Sequence, residues 1–195
     1  MTEKLTDKAK PDARRTIEGI VFFIAFTLTI PIANWMIGNV GTVCVPNGPC
    51  LIPVAPGLTA PSGVLMIGLA LVLRDLVQRR LGVGFSAFAV ILGAALSAWV
   101  APPALALASG VAFLIAEFAD LAVYTPLARR RLVAAVVASS FVGLVVDSIV
   151  FLSLAFGSLD YLSGQVIGKS WMVLAAIPVV AYLRRRDERI GMAPA

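Results

Sequence analysis

The 195-residue chain is 59% hydrophobic and 14% charged, with a mean hydropathy of +0.94 and a net charge of +5. A soluble domain carries about 25% charged residues, so this apolar surplus exceeds what one core can hold and most of it must face lipid. That excludes an ordinary soluble domain, and the basic residues, scattered in short clusters between apolar runs, offer no nucleic-acid-binding face.

Six apolar runs follow in chain order, at residues 17–38, 62–79, 85–101, 103–124, 132–156 and 163–183. Each is near the ~20 residues that a helix needs to cross the hydrocarbon of a bilayer, and helices satisfy their own backbone there without water. The expected fold class is therefore all-α, a polytopic membrane protein of six transmembrane helices. A cytoplasmic tail of residues 1–16 precedes this domain of residues 17–183, and a second tail, 184–195, follows it. Pro102 and Pro103 separate the third and fourth runs, which predicts a tight helical hairpin.

Charge fixes the expected orientation. Lys4, Lys8, Lys10, Arg14 and Arg15 precede the first run. Arg79 and Arg80 end the second, Arg129, Arg130 and Arg131 follow the fourth, and Arg184, Arg185, Arg186 and Arg189 follow the sixth. The alternate connections, 39–61, 101–103 and 157–162, hold no Lys or Arg. Positive residues favour the cytoplasmic side, so both termini are expected inside. The first run is read as a retained helix, because no small-residue cleavage site follows it.

The long uncharged connection holds the only cysteines, Cys44 and Cys50, around a Pro-Asn-Gly-Pro turn. On an oxidising outer face the pair closes a small loop as a structural disulfide, or stays as two thiols packed as small apolar groups. The connection is too apolar for a linker and is expected to fold back over the outer mouth of the bundle.

Polar residues within the runs carry the functional signal, since buried charges in a bilayer are costly and face a bundle interior or a watery cavity. Glu18 sits at the inner edge of the first run, within reach of water. Arg74, Asp75, Gln78, Glu117, Asp120, Asp147, Gln165 and Lys169 lie deeper. Arg74 is close enough to an end to snorkel, and Asp75 has Arg79 one turn on. Asp147 and Lys169 have no opposite charge within a turn of their own helices.

Two stripes of small residues step by four toward acids: Ala104, Ala108, Ala112 and Ala116 to Asp120, and Ala135, Ser139 and Gly143 to Asp147. Small residues at this spacing let helix backbones approach, so the acids are expected to face inward. Arg74 and Lys169 stand against Asp75, Glu117, Asp120 and Asp147, a deficit of two positive charges. Such an interior holds protons on some carboxylates or attracts a ligand rich in N–H donors. Both suit a transporter, with Asp75, Glu117, Asp120 and Arg74 as proton or gating residues. The layout also permits a 3+3 inverted repeat.

These residues resemble a family. "RDLVQRRLG", with Asp75, Leu76, Arg79 and Gly82, resembles the Asp-Leu-x-x-Arg-x-x-Gly signature of the VUT family of queuosine precursor transporters. "EFADLAVYTPLARR" is similar to that family's acid-containing fourth helix, and "SSFVGLVVDSIVFLSLAF" matches its Ser-x-x-x-Gly-x-x-x-Asp stretch through Ser139, Gly143 and Asp147. Lys169 falls where the family carries a lysine in its last helix, and Gln165 where a residue can be acidic. The resemblance spans residues 51–183. It implies a bacterial inner-membrane importer of 7-cyano-7-deazaguanine or a related deazapurine.

That ligand suits the polar inventory. A guanine-like edge offers a ring N–H and an NH₂ to the two oxygens of a carboxylate, and its carbonyl accepts from Lys169 or Gln165. Trp171, Phe151 or Trp35 would stack on the ring, though Trp35 reads better as an interface anchor. The expected substrate-binding set is Asp147, Lys169, Gln165, Ser139, Glu117, Asp75 and Trp171. Neither cofactor nor metal is expected, and a homo-oligomer is open.

Three rivals stand beside this reading. A substrate-binding subunit of an ATP-driven vitamin importer would also be a small six-helix protein, served by separate partner subunits because this chain has no P-loop. An intramembrane enzyme is disfavoured by the absence of His, of a metal-ligand cluster and of a catalytic Gly-x-Gly-Asp. A purely structural subunit gives no reason for buried ionisable groups.

Overall fold

A computed structural model describes the backbone of residues 3–46, 48–101 and 103–192, with side chains from residue 13 onward except 103 and 104. Asn47 and Pro102, both expected in turns, lie outside the described residues, as do residues 1, 2 and 193–195 and the side chains of Lys4, Lys8, Lys10 and Ala104. The described chain forms α1 (Glu3–Asn39), β1 (Val43–Cys44), β2 (Cys50–Ala55), β3 (Leu58–Pro61), α2 (Val64–Leu81), α3 (Val83–Val100), α4 (Pro103–Ala128), α5 (Leu132–Phe156) and α6 (Leu162–Ile190).

Five of the six helices are long and apolar enough to cross a membrane: α1 within Ala13–Asn39, α3, α4 within Leu105–Ala128, α5 and α6. Trp99, Leu107, Phe141 and Leu154 stand exposed on their flanks, as side chains facing lipid must. The sixth, α2, has 18 residues but carries Arg74, Asp75, Arg79 and Arg80, all buried. It is the hub of the bundle. Leu71, Val72 and Leu76 pack with α4, α5 and α6, Ala70 with Phe26 of α1 and Phe113 of α4, and Val64 with the sheet. A charged helix is tolerated there because its neighbours, and not lipid, surround it.

Local chemistry sets the helix ends. Gly82 alone joins α2 to α3 at φ 89° and ψ 170°, a conformation open essentially to glycine. Gly157 closes α5 and Gly191 closes α6, both left-handed, the usual end for a helix whose last carbonyls need a turn. Ala101 is extended before Pro102, as a residue preceding proline tends to be, so the α3–α4 hairpin turns within two residues. Helix extends into both expected tails, since α1 starts at Glu3 and α6 runs on to Ile190.

The all-α expectation needs one correction. The connection between α1 and α2 forms a three-stranded antiparallel sheet, ordered β1-β2-β3, with Cys44 opposite Cys50 and a bulge between Pro53 and Ala55. Cys44 and Cys50 form a disulfide across β1 and β2. Its prolines and glycines hid these strands in the sequence. The sheet caps one end of the bundle. Ser62 Oγ donates to Met36 O at 2.7 Å, Trp171 Nε1 donates to Val54 O at 2.9 Å, and Thr59 O lies so close to Gly164 that a side chain there would strike it. The opposite end is rich in arginine.

Candidate functional site

The two small-residue stripes meet. Ala108, Ala112, Ala116 and Asp120 of α4 are buried, as are Ala135, Ser139, Gly143 and Asp147 of α5. A Cβ on Gly143 would stand 3.0 Å from Asp120 Cβ and 2.9 Å from Leu71 Cδ2, so glycine is what lets α2, α4 and α5 converge on the acids.

Asp147 and Lys169 pair toward the sheet end. Lys169 Nζ donates to Asp147 Oδ2 at 2.6 Å, Ser148 Oγ at 2.8 Å and Gln165 Oε1 at 2.8 Å. All three ammonium hydrogens are thus committed, which offsets the cost of burying the charge. Gly68 of α2 abuts the Lys169 carbonyl, closely enough that a Cβ there would collide with it, and this fixes the depth of the lysine. Asp147 keeps Oδ1 without a hydrogen bond among the described residues and faces a cavity of about 50 Å³. All six helices contribute to its wall, through Asn34, Ile67, Ser97, Phe113, Asp147 and Lys169 among others.

Arg74 gathers the remaining acids. Its Nε donates to Glu117 Oε2 at 2.9 Å, its Nη2 to Asp120 Oδ1, and its Nη1 lies 2.9 Å from Asp75 Oδ1. Ser139 Oγ donates to Asp75 Oδ2 at 3.0 Å, and the guanidinium sits 5.8 Å from the centre of the Tyr124 ring. Arg74 does not snorkel, since its side chain is 0% exposed. Nor does Asp75 pair with Arg79, which turns away to Asp187 of α6. Because Lys169 neutralises Asp147, the deficit of two positive charges lies wholly with Arg74, Asp75, Glu117 and Asp120. Asp120 Oδ2 and Tyr124 Oη are buried there without hydrogen-bond partners among the described residues.

Residues 100–183 match the profile of a family described as "Putative vitamin uptake transporter". No curated protein and no solved structure matched the chain. The stretch similar to this family covers α4, α5 and most of α6, and so holds Glu117, Asp120, Ser139, Asp147, Gln165 and Lys169; Arg74 and Asp75 lie before it.

At the arginine end a third charged group ties α1, α2 and α6. Asp187 accepts from Arg79 Nη2 at 2.9 Å and from Arg80 Nη1 at 2.8 Å, while Glu18 Oε2 lies 3.0 Å from Arg80 Nε and 2.6 Å from Arg186 Nη2. Sequence reasoning missed this knot. Glu18 reads from sequence as within reach of water, and Asp187 lies in a basic run, where one acid among arginines is itself the available signal. A cleft of about 290 Å³ opens beside it, lined by Gln78, Arg79, Tyr124, Thr125 and Arg129, and reaches the edge of the Arg74 group.

The stacking candidates divide. Phe151 lines the cavity. Trp171 does not: it is 54% exposed on the outer flank of α6, its indole spent on the Val54 carbonyl. Trp35, 60% exposed near the end of α1, suits an interface anchor. Ser139 and Asp75 sit with Arg74 instead of at the cavity wall. Asn34, Ser97, Ser109 and Ser148 reach the site unforeseen, since lone Asn and Ser residues in apolar helices give no periodic signal. Among the described residues no cluster of His, Cys, Asp or Glu has the form of a metal site.

Proposed function

We propose that the chain is a membrane transporter that imports a queuosine precursor, 7-cyano-7-deazaguanine or a related deazapurine, across the bacterial inner membrane, with the arginine end and both termini in the cytoplasm. One observation carries the reading: Asp147 presents a free carboxylate oxygen to a cavity built from all six helices, while Lys169 holds its other oxygen. The similarity of residues 100–183 to an uptake-transporter family supports it.

The chemistry follows from which hydrogens are free. Asp147 Oδ1, and the second lone pair of Oδ2, accept the ring N–H and NH₂ of a guanine-like edge. Lys169 has no hydrogen to spare, so the neighbouring carbonyl takes its bond from the Gln165 amide, whose oxygen is already committed to Lys169. Phe113 and Phe151 offer ring faces from the cavity wall. A cavity of about 50 Å³ is well below the roughly 300 Å³ of a small-molecule site. Loading therefore requires the helices to part, as alternating access demands. The Asp187 and Glu18 bridges close the cytoplasmic end in this state, and Arg74 with its carboxylates, lying between the two ends, is the group through which protons or gating movements would couple to the substrate.

Uptake of labelled deazapurine into cells that cannot make it, and into liposomes holding this protein alone, tests the proposal. Transport in both supports it. Transport only with an added ATPase replaces it with the multi-subunit importer, and no transport of any purine-like compound removes it.

A further inference from the structure

The cavity has a second polar wall, on helices other than those that hold Asp147 and Lys169. Asn34 comes from α1, which packs mainly on α2 and α3, whereas Asp147, Gln165 and Lys169 come from α5 and α6. Beside Asn34 stand Ser97 of α3 and Ser109 of α4, joined Oγ to Oγ at 2.7 Å. The wall is not satisfied within itself. Asn34 Nδ2 spends one hydrogen on Ile30 O at 3.0 Å and keeps the other, with Oδ1, unbonded among the described residues. Whichever serine donates in the Ser97–Ser109 pair, one hydroxyl hydrogen remains unused there. Uncommitted donors on a part-buried, otherwise apolar cavity wall favour a ligand that takes them up.

We propose that Asn34, Ser97 and Ser109 form the second pole of the binding site and select the substituent at the far end of the substrate ring. This rests on the transport reading above and goes beyond it by naming what the far end must be. The wall bears no charge, so it has nothing to neutralise an ammonium, whose desolvation would be uncompensated. It does have two spare donors, one amide and one hydroxyl. The substituent it takes is a compact neutral acceptor, such as a nitrile, and not a cationic aminomethyl group. The charged wall reads the N–H edge of the ring; the neutral wall reads the opposite end.

Two probes that differ only there test the assignment: 7-cyano-7-deazaguanine and its 7-aminomethyl counterpart, titrated calorimetrically into the purified protein in detergent. The wild type binds the nitrile more tightly, by about tenfold or more. Asn34→Asp, which adds a charge without changing size, reverses that preference. The double change Ser97→Ala with Ser109→Ala weakens the nitrile and leaves the amine as before. Asp147→Asn weakens both probes alike, which separates this subsite from the charged wall. An unchanged ratio of affinities in folded Asn34→Asp and in the double serine variant overturns the proposal while leaving the transport reading intact. If the wild type binds neither probe, both readings fall together.

Discussion

Lys169 of α6 reaches Asp147 of α5 at 2.6 Å, and the same ammonium binds Ser148 and Gln165. The pair therefore joins two helices at the cavity wall, where the aspartate side chain is 12% exposed and the lysine 2%. Removing either partner strands a buried charge, at a cost of about 3–5 kcal/mol. Asp147→Asn and Lys169→Met are each expected to abolish uptake. The exchange Asp147→Lys with Lys169→Asp should restore folding, read as thermal stability in detergent, without restoring transport, because the carboxylate would then sit where the ammonium is enclosed. Full transport by either single variant would remove the pair from the mechanism.

Gly68 sits against the Lys169 carbonyl, with no room for a Cβ. Gly68→Ala must push α2 away from α6, and overpacking of this kind costs about 1–3 kcal/mol. The expected result is a lower thermal midpoint and weaker substrate binding together, because the shift also moves Lys169. Gly84, whose added Cβ would meet open space, is the control, and Gly84→Ala should leave both unchanged.

The charges and stripes made much of this site legible beforehand. Four-residue steps of alanine, serine and glycine pointed Asp120 and Asp147 inward because helical spacing alone decides which side chains share a face. The partner of each charge was not legible in the same way. Asp75 has Arg79 one turn along, yet Arg79 meets Asp187 while Asp75 meets Arg74 and Ser139, a choice made by the packing of α2 against α5 and α6. The sheet was missed for a local reason: Pro53, Pro56 and Pro61 argue against strands, but β2 tolerates a bulge and β3 is a short edge.

The Cys44–Cys50 disulfide lies in the sheet, which faces the outside in the orientation proposed above. An impermeant thiol reagent applied to intact cells should label these cysteines only after reduction. Cysteines introduced at Thr2 and Ala195, in a Cys44→Ser, Cys50→Ser background, should stay unlabelled until the cells are opened. The reverse pattern would invert the orientation, and the cavity would then face the cytoplasm.

Asp187 accepts hydrogen bonds from Arg79, Arg80 and Arg186, so a single carboxylate fastens α2 to α6 at the arginine end. If this knot closes the inner mouth, Asp187→Asn should open it more often. A cysteine at Thr125, on the wall of the adjoining cleft, should react faster with a thiol reagent in inside-out vesicles when Asp187 is replaced. An unchanged rate would make the knot a static brace.

Arg74 faces three carboxylates with one guanidinium, and Glu117 is near enough to Asp147 for the two acids to interact. Arg74→Met should therefore be the most damaging change in the bundle, since it leaves three buried acids without a cation and costs about 3–5 kcal/mol or more. Adding Glu117→Gln should recover part of that loss, because it removes one of the stranded charges. The single amides Asp75→Asn, Glu117→Gln and Asp120→Asn keep size while removing one titratable group each. If protons move through this group during transport, at least one of the three should fold normally and change how uptake depends on pH. Three folded variants with the wild-type pH profile would make the group scaffold, and the energy for import would have to come from elsewhere.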